Sequence, residues 1–297
     1  MRSVSPILPA LARRGNRKAP SHKFRIVSLL PSATETLFAL GVGDQVVAVT
    51  HECDYPPEAA RLPVVTRSVF DFAHAHSGEI ERQVSLAAER GESLYEVDTT
   101  AIRELEPDLV VAQDVCRVCA VTASQVVDEL APIPVLRQHP HTLDDVLGDI
   151  VELARACGAD SDPLMTSLRG RIDAAASLAA ARGRVRGVFL EWLDPPYPAG
   201  HWTPNLLVLA GIDDPLARPG RPSRAGTWDE VRAAAPDLLV IAPCGWGLVR
   251  ARQEAAAVQG EIDSVGAGQV AVLDGSAYFN RPGPRLVDSL EALISLR

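Results

Sequence analysis

Two cysteines stand two residues apart in "QDVCRVCAV" (113–121), directly after an apolar run that is typical of a buried strand. The C-x-x-C spacing of Cys116 and Cys119 fits a redox pair, because the N-terminus of a following helix would lower a thiol pKa. The spacing also fits half of a zinc site, since zinc takes four ligands. A third interpretation is that both thiols are small buried apolar groups that pack a core.

A neighbouring strand end supplies further metal-binding side chains. The run "QVVAVT" (45–50) leads into "HECDYP", so His51 and Cys53 follow a predicted strand. These two residues would complete a Cys3His zinc set with Cys116 and Cys119, and His201 is a further candidate ligand. The zinc, redox and packing interpretations all stay open on the sequence alone.

Short apolar runs alternate with helical stretches along the whole chain. The predicted strands are "RIVSLL" (25–30), "QVVAVT" (45–50), "DLVVAQ" (108–113), "IPVLRQ" (133–138), "VRGVFLEWL" (185–193), "DLLVIAP" (237–243) and "GQVAVLDG" (268–275). Such β-branched runs predict buried parallel strands. The first predicted helix (32–41) begins with Ser32 as N-cap, Glu35 in a capping box and Gly41 as C-cap.

The pattern predicts two α/β lobes with parallel sheets joined by a long α-helix. From Thr142 to about Arg182 the chain shows helical signals and no strand. The stretches "TTAIRELEPDLVVAQ" and "TWDEVRAAAPDLLVIAP" repeat the order helix, Pro-Asp, strand in equivalent places of the two halves. We predict a disordered tail (1–23), a first lobe (24–141), a linking helix or kinked helix pair (142–182) and a second lobe (183–297). A single large α/β domain is the alternative.

Polar and aromatic side chains collect after the predicted strands. Ligands of open parallel α/β sheets bind beyond the carboxyl ends of the strands. The candidate ligand-binding residues are Pro31, Ser32, His51, Glu52, Cys53, Tyr55, Asp114, Cys116, Cys119, Glu191, Trp192, His201, Trp202, Trp246, Tyr278 and Phe279. Because only 5% of the chain is aromatic, this concentration predicts a wide aromatic-lined cleft for a large flat ligand. The alternative is that the aromatic residues pack the lobe interface.

Composition excludes several classes of function. The 297 residues carry a net charge of −9, which argues against nucleic acid or an anionic membrane as the main partner. Five cysteines in this length do not make a disulfide framework. The chain contains no Walker A, dinucleotide-binding or nucleophile-elbow motif.

The first residues predict a cytoplasmic protein. The apolar stretch from Ile7 to Ala12 is short, contains Pro9 and precedes the basic cluster instead of following it. A secretory signal has the opposite order. A misassigned start codon would produce the same pattern in a periplasmic or cell-surface protein.

Six segments together resemble the cobalamin (vitamin B12)-binding, ABC-transporter-type substrate-binding proteins. They are "RIVSLLPSATETLFALG", "VVAVTHECDYPPEA", "EPDLVVAQDVCRVCAV", "FLEWLDPPYPAGHW", "DLLVIAPCGW" and "AYFNRPGPRLVDSLEAL". The resemblance covers residues 24–297. It is greatest to a bacterial subgroup that carries "HECDYP" and "CxVCAV" and often lacks a clear signal peptide.

The resemblance implies the class III periplasmic-binding-protein fold, with two Rossmann-like lobes and a corrinoid held non-covalently between them. It implies no catalysis, a monomer, and an ABC permease that docks on surface carboxylates, for which Glu35, Asp213 and Asp214 are candidates. A His51 or His201 imidazole could reach the corrin cobalt, since nitrogen ligands suit such a metal. The alternatives are a thiol- or metal-dependent enzyme that acts on a corrinoid or other cofactor, and a ferric-siderophore or haem binder.

Overall fold

The computed structural model describes residues 23–70, 72, 75–90, 92–114 and 123–297. The strands are β1 Ile26–Ser28, β2 Val46–Ala48, β3 Thr66–Ser68, β4 Tyr95–Val97, β5 Leu109–Gln113, β6 Val135–Gln138, β7 Val185–Leu193, β8 Pro196–Pro198, β9 Ile212–Asp213, β10 Leu238–Ile241 and β11 Gln269–Val272. The helices are α1 Pro31–Ala39, α2 Ser77–Arg90, α3 Thr99–Glu104, α4 Ala123–Leu130, α5 Leu143–Cys157, α6 Asp162–Arg182, α7 Thr203–Leu209, α8 Trp228–Ala233, α9 Leu248–Ala257, α10 Gln259–Val265 and α11 Leu286–Ser295.

Two separate sheets form the centres of two lobes. The first has the order β2-β1-β5-β6 and is parallel throughout. The second has the order β11-β10-β7-β8, in which β8 runs antiparallel to β7 and β9 adds a short parallel pairing. Buried apolar clusters cover both faces of each sheet, which explains the continuous β-branched runs in the sequence. This arrangement confirms the predicted α/β fold with parallel sheets.

The internal repeat predicted from the sequence is visible in backbone detail. The helices α3 and α8 lead through the two Pro-Asp motifs into β5 and β10. Glu106 and Ala235, which precede the two prolines, both have a positive φ, at 46° and 45°. The backbone N–H of Asp108 donates to Arg25, and that of Asp237 donates to Arg186, so each strand begins with the same pairing to its neighbour.

Two consecutive helices, α5 and α6, join the lobes. The N-terminal half of α5 packs Leu143 and Val146 into the second-lobe core, whereas Leu153 and Cys157 belong to the first-lobe core. Gly158 adopts the left-handed conformation that ends α5. The kinked pair of helices is therefore the form that the structure adopts, and one helix buried in both cores restrains the lobes against each other.

The capping box predicted for α1 is absent. The helix begins at Pro31, and its N-cap is Leu30, which makes no side-chain hydrogen bond. Ser32 lies inside the helix, and Glu35 contacts the second lobe instead of the helix start. No helix among the described residues combines the length and apolar character that crossing a bilayer requires.

Candidate functional site

Arg281 of the second lobe reaches into the first lobe at the carboxyl ends of β1 and β2. Its guanidinium donates to Oε1 of Glu35 at 3.0 Å, to the Asp54 carboxylate, and to the carbonyl of Glu52 at 3.1 Å. Only 6% of Arg281 and 3% of Glu35 are exposed. Burial raises the pKa of the Glu35 carboxyl, and the Arg281 guanidinium opposes this shift. The lobes are therefore joined by a buried charge cluster at the edge where a ligand was predicted.

Arg285 extends this cluster outward between two tyrosine rings. Its guanidinium lies 4.2 Å from the ring centroid of Tyr55 in the first lobe and 5.4 Å from that of Tyr278 in the second. It also approaches Glu35 at 3.5 Å. A guanidinium in this position is attracted to the faces of both rings by cation–π interactions. Tyr55 and Tyr278, two of the predicted ligand-binding residues, are thus brought together across the lobes.

The indoles of Trp192 and Trp246 form an aromatic pair at the carboxyl ends of β7 and β10. Their ring centroids are 4.4 Å apart, and Arg250 lies over the Trp246 ring at 5.2 Å. Trp192 is partly exposed, whereas 9% of Trp246 is exposed. The structure therefore places these two predicted residues in one aromatic surface, as expected for a cleft wall.

On the first-lobe side, Pro31 and Ser32 form the opening turn of α1, and His51 and Glu52 follow β2. A Cβ atom added to Gly283 of the second lobe would lie 3.2 Å from the Ser32 carbonyl oxygen. The backbone of the second lobe therefore approaches the first turn of α1 closely. His51 Nδ1 hydrogen-bonds Thr66 Oγ1 at 2.8 Å, and its ring packs against Tyr95 at 5.6 Å. Both contacts hold the imidazole on its own lobe.

The zinc site proposed from His51, Cys53, Cys116 and Cys119 is not supported. Only 3% of Cys53 is exposed, and its sulfur shares hydrogen bonds of 3.2 Å with Thr34 and Thr50. Burial raises the pKa of the Cys53 thiol, which disfavours the thiolate that zinc requires. Cys116 and Cys119 lie outside the described residues. Within the described part of the chain, no three His, Cys, Asp or Glu side chains are arranged to hold a metal ion.

Three predicted ligand-binding residues are core residues in this conformation. Cys53 packs in the first-lobe core, whereas Trp202 and Phe279 belong to the second-lobe core, with 8% and 1% of each exposed. The Trp202 indole donates to the Phe279 carbonyl at 2.8 Å. Their side chains present almost no surface to a ligand, because the short loops after the strands fold back onto the sheets.

Glu191 and Asp114 are occupied by contacts inside their own lobes. The Glu191 carboxylate accepts from the backbone N–H of Gly200 at 2.8 Å, and burial raises its pKa. Asp114 lies 3.5 Å from Arg137. Glu191 therefore holds the 199–203 loop against β7.

His201 joins a histidine cluster where α5 begins. The Nε2 atoms of His139 and His141 are 2.9 Å apart, and the His141 and His201 rings stack with centroids 5.8 Å apart. Burial, together with the two neighbouring imidazoles, lowers the pKa of His201 to about 4. The imidazole is therefore neutral near pH 7 and lies at the junction with the linking helix.

Two of the three carboxylates suggested for permease docking are occupied by contacts within the protein. Glu35 is paired with Arg281, and Asp214 accepts from the backbone N–H groups of Phe189 and Leu216 at 2.9 and 2.8 Å. Burial raises the pKa of Asp214 to about 6. Asp213 is exposed, but Arg184 already contacts both of its oxygens. In this conformation the structure disfavours Glu35 and Asp214 as docking residues.

Sequence reasoning missed the part of the site that comes from α2. Ser77, at the start of this helix, contacts Trp192 and Glu254 of the second lobe. One signal was available for Glu254. It shares the spacing i, i+3, i+4 with Ala251 and Ala255, both buried, and a carboxylate on the apolar face of a helix indicates a specific partner.

No family model matches the sequence. The chain is similar over most of its length to the vitamin B12-binding protein of Vibrio cholerae, with 24% identity over 277 residues that cover 90% of this chain and 86% of the relative.

Solved structures with the same fold include two periplasmic binding proteins. The periplasmic vitamin B12-binding protein of Vibrio cholerae superposes with a TM-score of 0.65 and 22% identity, over 91% of this chain and 95% of that one. A periplasmic heme-binding protein from Pseudomonas aeruginosa superposes with a TM-score of 0.69 and 19% identity, over 92% of this chain and 91% of that one. The fold is therefore the class III periplasmic-binding-protein fold.

The expected cytoplasmic location is contradicted by these comparisons. Both solved relatives are periplasmic proteins. The order of basic and apolar residues before residue 23 was the basis of that expectation, and it is outweighed by similarity over nine-tenths of the chain.

Proposed function

We propose that this protein binds cobalamin or a related corrinoid between its lobes, without catalysis, as the substrate-binding protein of an ABC-type uptake system. The observation that carries the proposal is similarity to a vitamin B12-binding protein across 90% of the chain. The Trp192–Trp246 pair and the Tyr55–Arg285–Tyr278 stack support it, because they line the lobe interface with the flat surfaces that a macrocycle needs.

The proposal places the protein outside the cytoplasm, as an ABC permease would require. A monomer suffices, because one chain supplies both lobes. Cys53 is disfavoured as the nucleophile of the thiol-dependent alternative, since its thiol is buried and hydrogen-bonded to two hydroxyls. The zinc-dependent alternative also loses support, because no metal-binding set of side chains is present among the described residues.

Haem is the second candidate ligand. Several structural neighbours bind haem according to their descriptions, and two arginines and two tyrosines meet at the lobe interface. Arginines suit the carboxylates of haem, and tyrosine is a known haem-iron ligand. The relatives with 23–24% identity over most of the chain are named vitamin B12-binding proteins, which favours the corrinoid.

Titration with hydroxocobalamin, followed by calorimetry and the visible spectrum, tests the proposal, with haemin titrated in parallel. One-to-one corrinoid binding at micromolar concentration or below, with much weaker haemin binding, is the expected result. A preference for haemin would select the second candidate, and binding of neither would reject both. A spectral shift that is lost in Cys116→Ser/Cys119→Ser would assign the cysteine pair to the cobalt.

A further inference from the structure

The helix α2 leaves its own lobe and lies on the other one. It connects β3 and β4, which form a two-stranded antiparallel ribbon apart from the parallel sheet of the first lobe. Tyr197 Oη donates to Glu81 of this helix at 2.7 Å, and Arg250 donates to the Ala75 carbonyl just before it. The segment 75–90 is therefore connected along the chain to the first lobe, but its side chains and backbone contact the second lobe.

A buried carboxylate of the second lobe holds the start of this segment. Oε2 of Glu254, on α9, accepts from both the backbone N–H and the hydroxyl of Ser77, each at 3.1 Å. Glu254 is 2% exposed, and its other oxygen lies 2.8 Å from Arg250 and 3.5 Å from His76. A carboxylate at a helix N-terminus satisfies free N–H groups and complements the helix dipole. This cap comes from a different lobe.

The same turn covers the aromatic wall of the candidate cleft. The Trp192 indole donates to the Ser77 carbonyl at 3.2 Å, and Trp192 stacks on Trp246. A side chain at Gly78 would begin 2.4 Å from Oδ2 of Asp194, so the Asp194 side chain packs directly against the Gly78 backbone. In this conformation a macrocycle could not reach the Trp192 edge without displacing the turn.

The segment is held by polar contacts more than by apolar packing. Of its fourteen helical residues, Ser77, Ile80 and Ala87 are the buried ones. Elements with few buried apolar contacts open at a lower free energy than core strands do. The hydrogen bonds of Ser77 with Glu254 and Trp192 are therefore expected to contribute strongly to keeping the segment closed.

We infer that residues 75–90 form a lid over the second-lobe side of the cleft, that Glu254 is its latch, and that ligand entry requires the latch to open. The inference rests on the proposed function for the identity of the ligand. The lid motion itself is independent of that identity. Opening moves the helix with its ribbon, while the buried Arg281–Glu35 contact and α5 keep the lobes together.

Hydrogen exchange without ligand tests the motion. In the wild type, the α2 amides should exchange at least a hundredfold faster than those of the core strand β10. Glu254→Ala should accelerate the α2 amides about tenfold or more and leave β10 unchanged. Gln253→Ala, an exposed neighbour on the same helix, is the matched control and should change neither. Equal protection of α2 and β10 in the wild type would overturn the lid.

A disulfide lock tests the consequence for binding and does not depend on how stable Glu254→Ala is. Gly78→Cys/Asp194→Cys places two thiols at the close approach, within the reach of a disulfide. The oxidised protein should bind hydroxocobalamin at least tenfold more slowly than the same protein after reduction, with the single-cysteine variants unaffected by redox state. Equal association rates would overturn the gating role. If the reduced protein binds no corrinoid, the proposed function fails, and hydrogen exchange alone decides whether the lid exists.

Discussion

Arg281 in the second lobe and Glu35 in the first form a buried ion pair at 3.0 Å, near the edge where both sheets end. Each side chain is close to fully buried, and the attraction between the two charges offsets the cost of removing them from water. The pair is part of a cluster that also includes Asp54 and Arg285. Because the cluster joins the two lobes, we expect it to stabilise the fold and to hold the lobes together.

Replacing Arg281 with alanine should destabilise the protein by about 3–5 kcal/mol, because Glu35 would be left buried without its hydrogen-bonded partner and would keep only the longer, 3.5 Å contact with Arg285. Urea denaturation of the variant and the wild type measures this difference. Arg232→Ala is the control, since Arg232 makes surface ion pairs with Asp229 and Glu261 and should cost about 1 kcal/mol or less. Similar decreases in the free energy of unfolding in the two variants would show that the buried ion pair stabilises the protein no more than a surface pair does.

Replacing Trp192 with alanine should weaken corrinoid binding about tenfold or more, because an aromatic face of the cleft is lost. Trp192→Phe should retain most of the affinity, since the phenyl ring keeps a flat apolar surface. Calorimetric titration of the three proteins with hydroxocobalamin gives the comparison. Unchanged affinity in the alanine variant would remove Trp192 from the site.

Cys53 and Cys157 should resist alkylation in the native protein. Both are buried, and burial raises the pKa of each thiol, so neither forms the reactive thiolate readily. Cys244, which is partly exposed, should react with iodoacetamide faster than either. Mass spectrometry of peptides labelled before and after denaturation measures this, and fast native labelling of Cys53 would contradict its core position.

His201 should make the folded state less stable as the pH falls from about 6.5 to about 4. Its pKa is about 4 in the folded protein, whereas the unfolded chain has an ordinary histidine pKa of about 6.5. Within this window the unfolded state binds more protons, so the free energy of unfolding decreases with falling pH.

His201→Asn should flatten that dependence, and asparagine tolerates the left-handed backbone, with φ of 49°, at this position. Denaturation at several pH values between 4 and 7 gives the two slopes. The raised pKa of Asp214 acts with the opposite sign over part of this range, but it is present in both proteins. Identical slopes would show that His201 does not titrate as described.

Local patterns in the sequence predicted seven strands of the two sheets, β1, β2, β5, β6, β7, β10 and β11, but not β8 and β9 of the second sheet. The runs that became β1, β5, β7 and β10 are continuously apolar because both faces of each sheet are covered. The repeated Pro-Asp motif predicted two equivalent lobes from the sequence alone, and both copies adopt the same backbone conformation. The helical stretch after Thr142 correctly predicted the connection between the lobes.

Only the tertiary structure decided which residues face the cleft and which are buried. Cys53, Trp202 and Phe279 come near the carboxyl ends of strands, as Tyr55 and Trp192 do, yet the side chains of the first three lie in the cores. The Arg281–Glu35 and Glu254–Ser77 pairs join residues that lie more than 170 positions apart along the chain. Short-range periodicity carries no information about such contacts, because they form only where the two lobes meet.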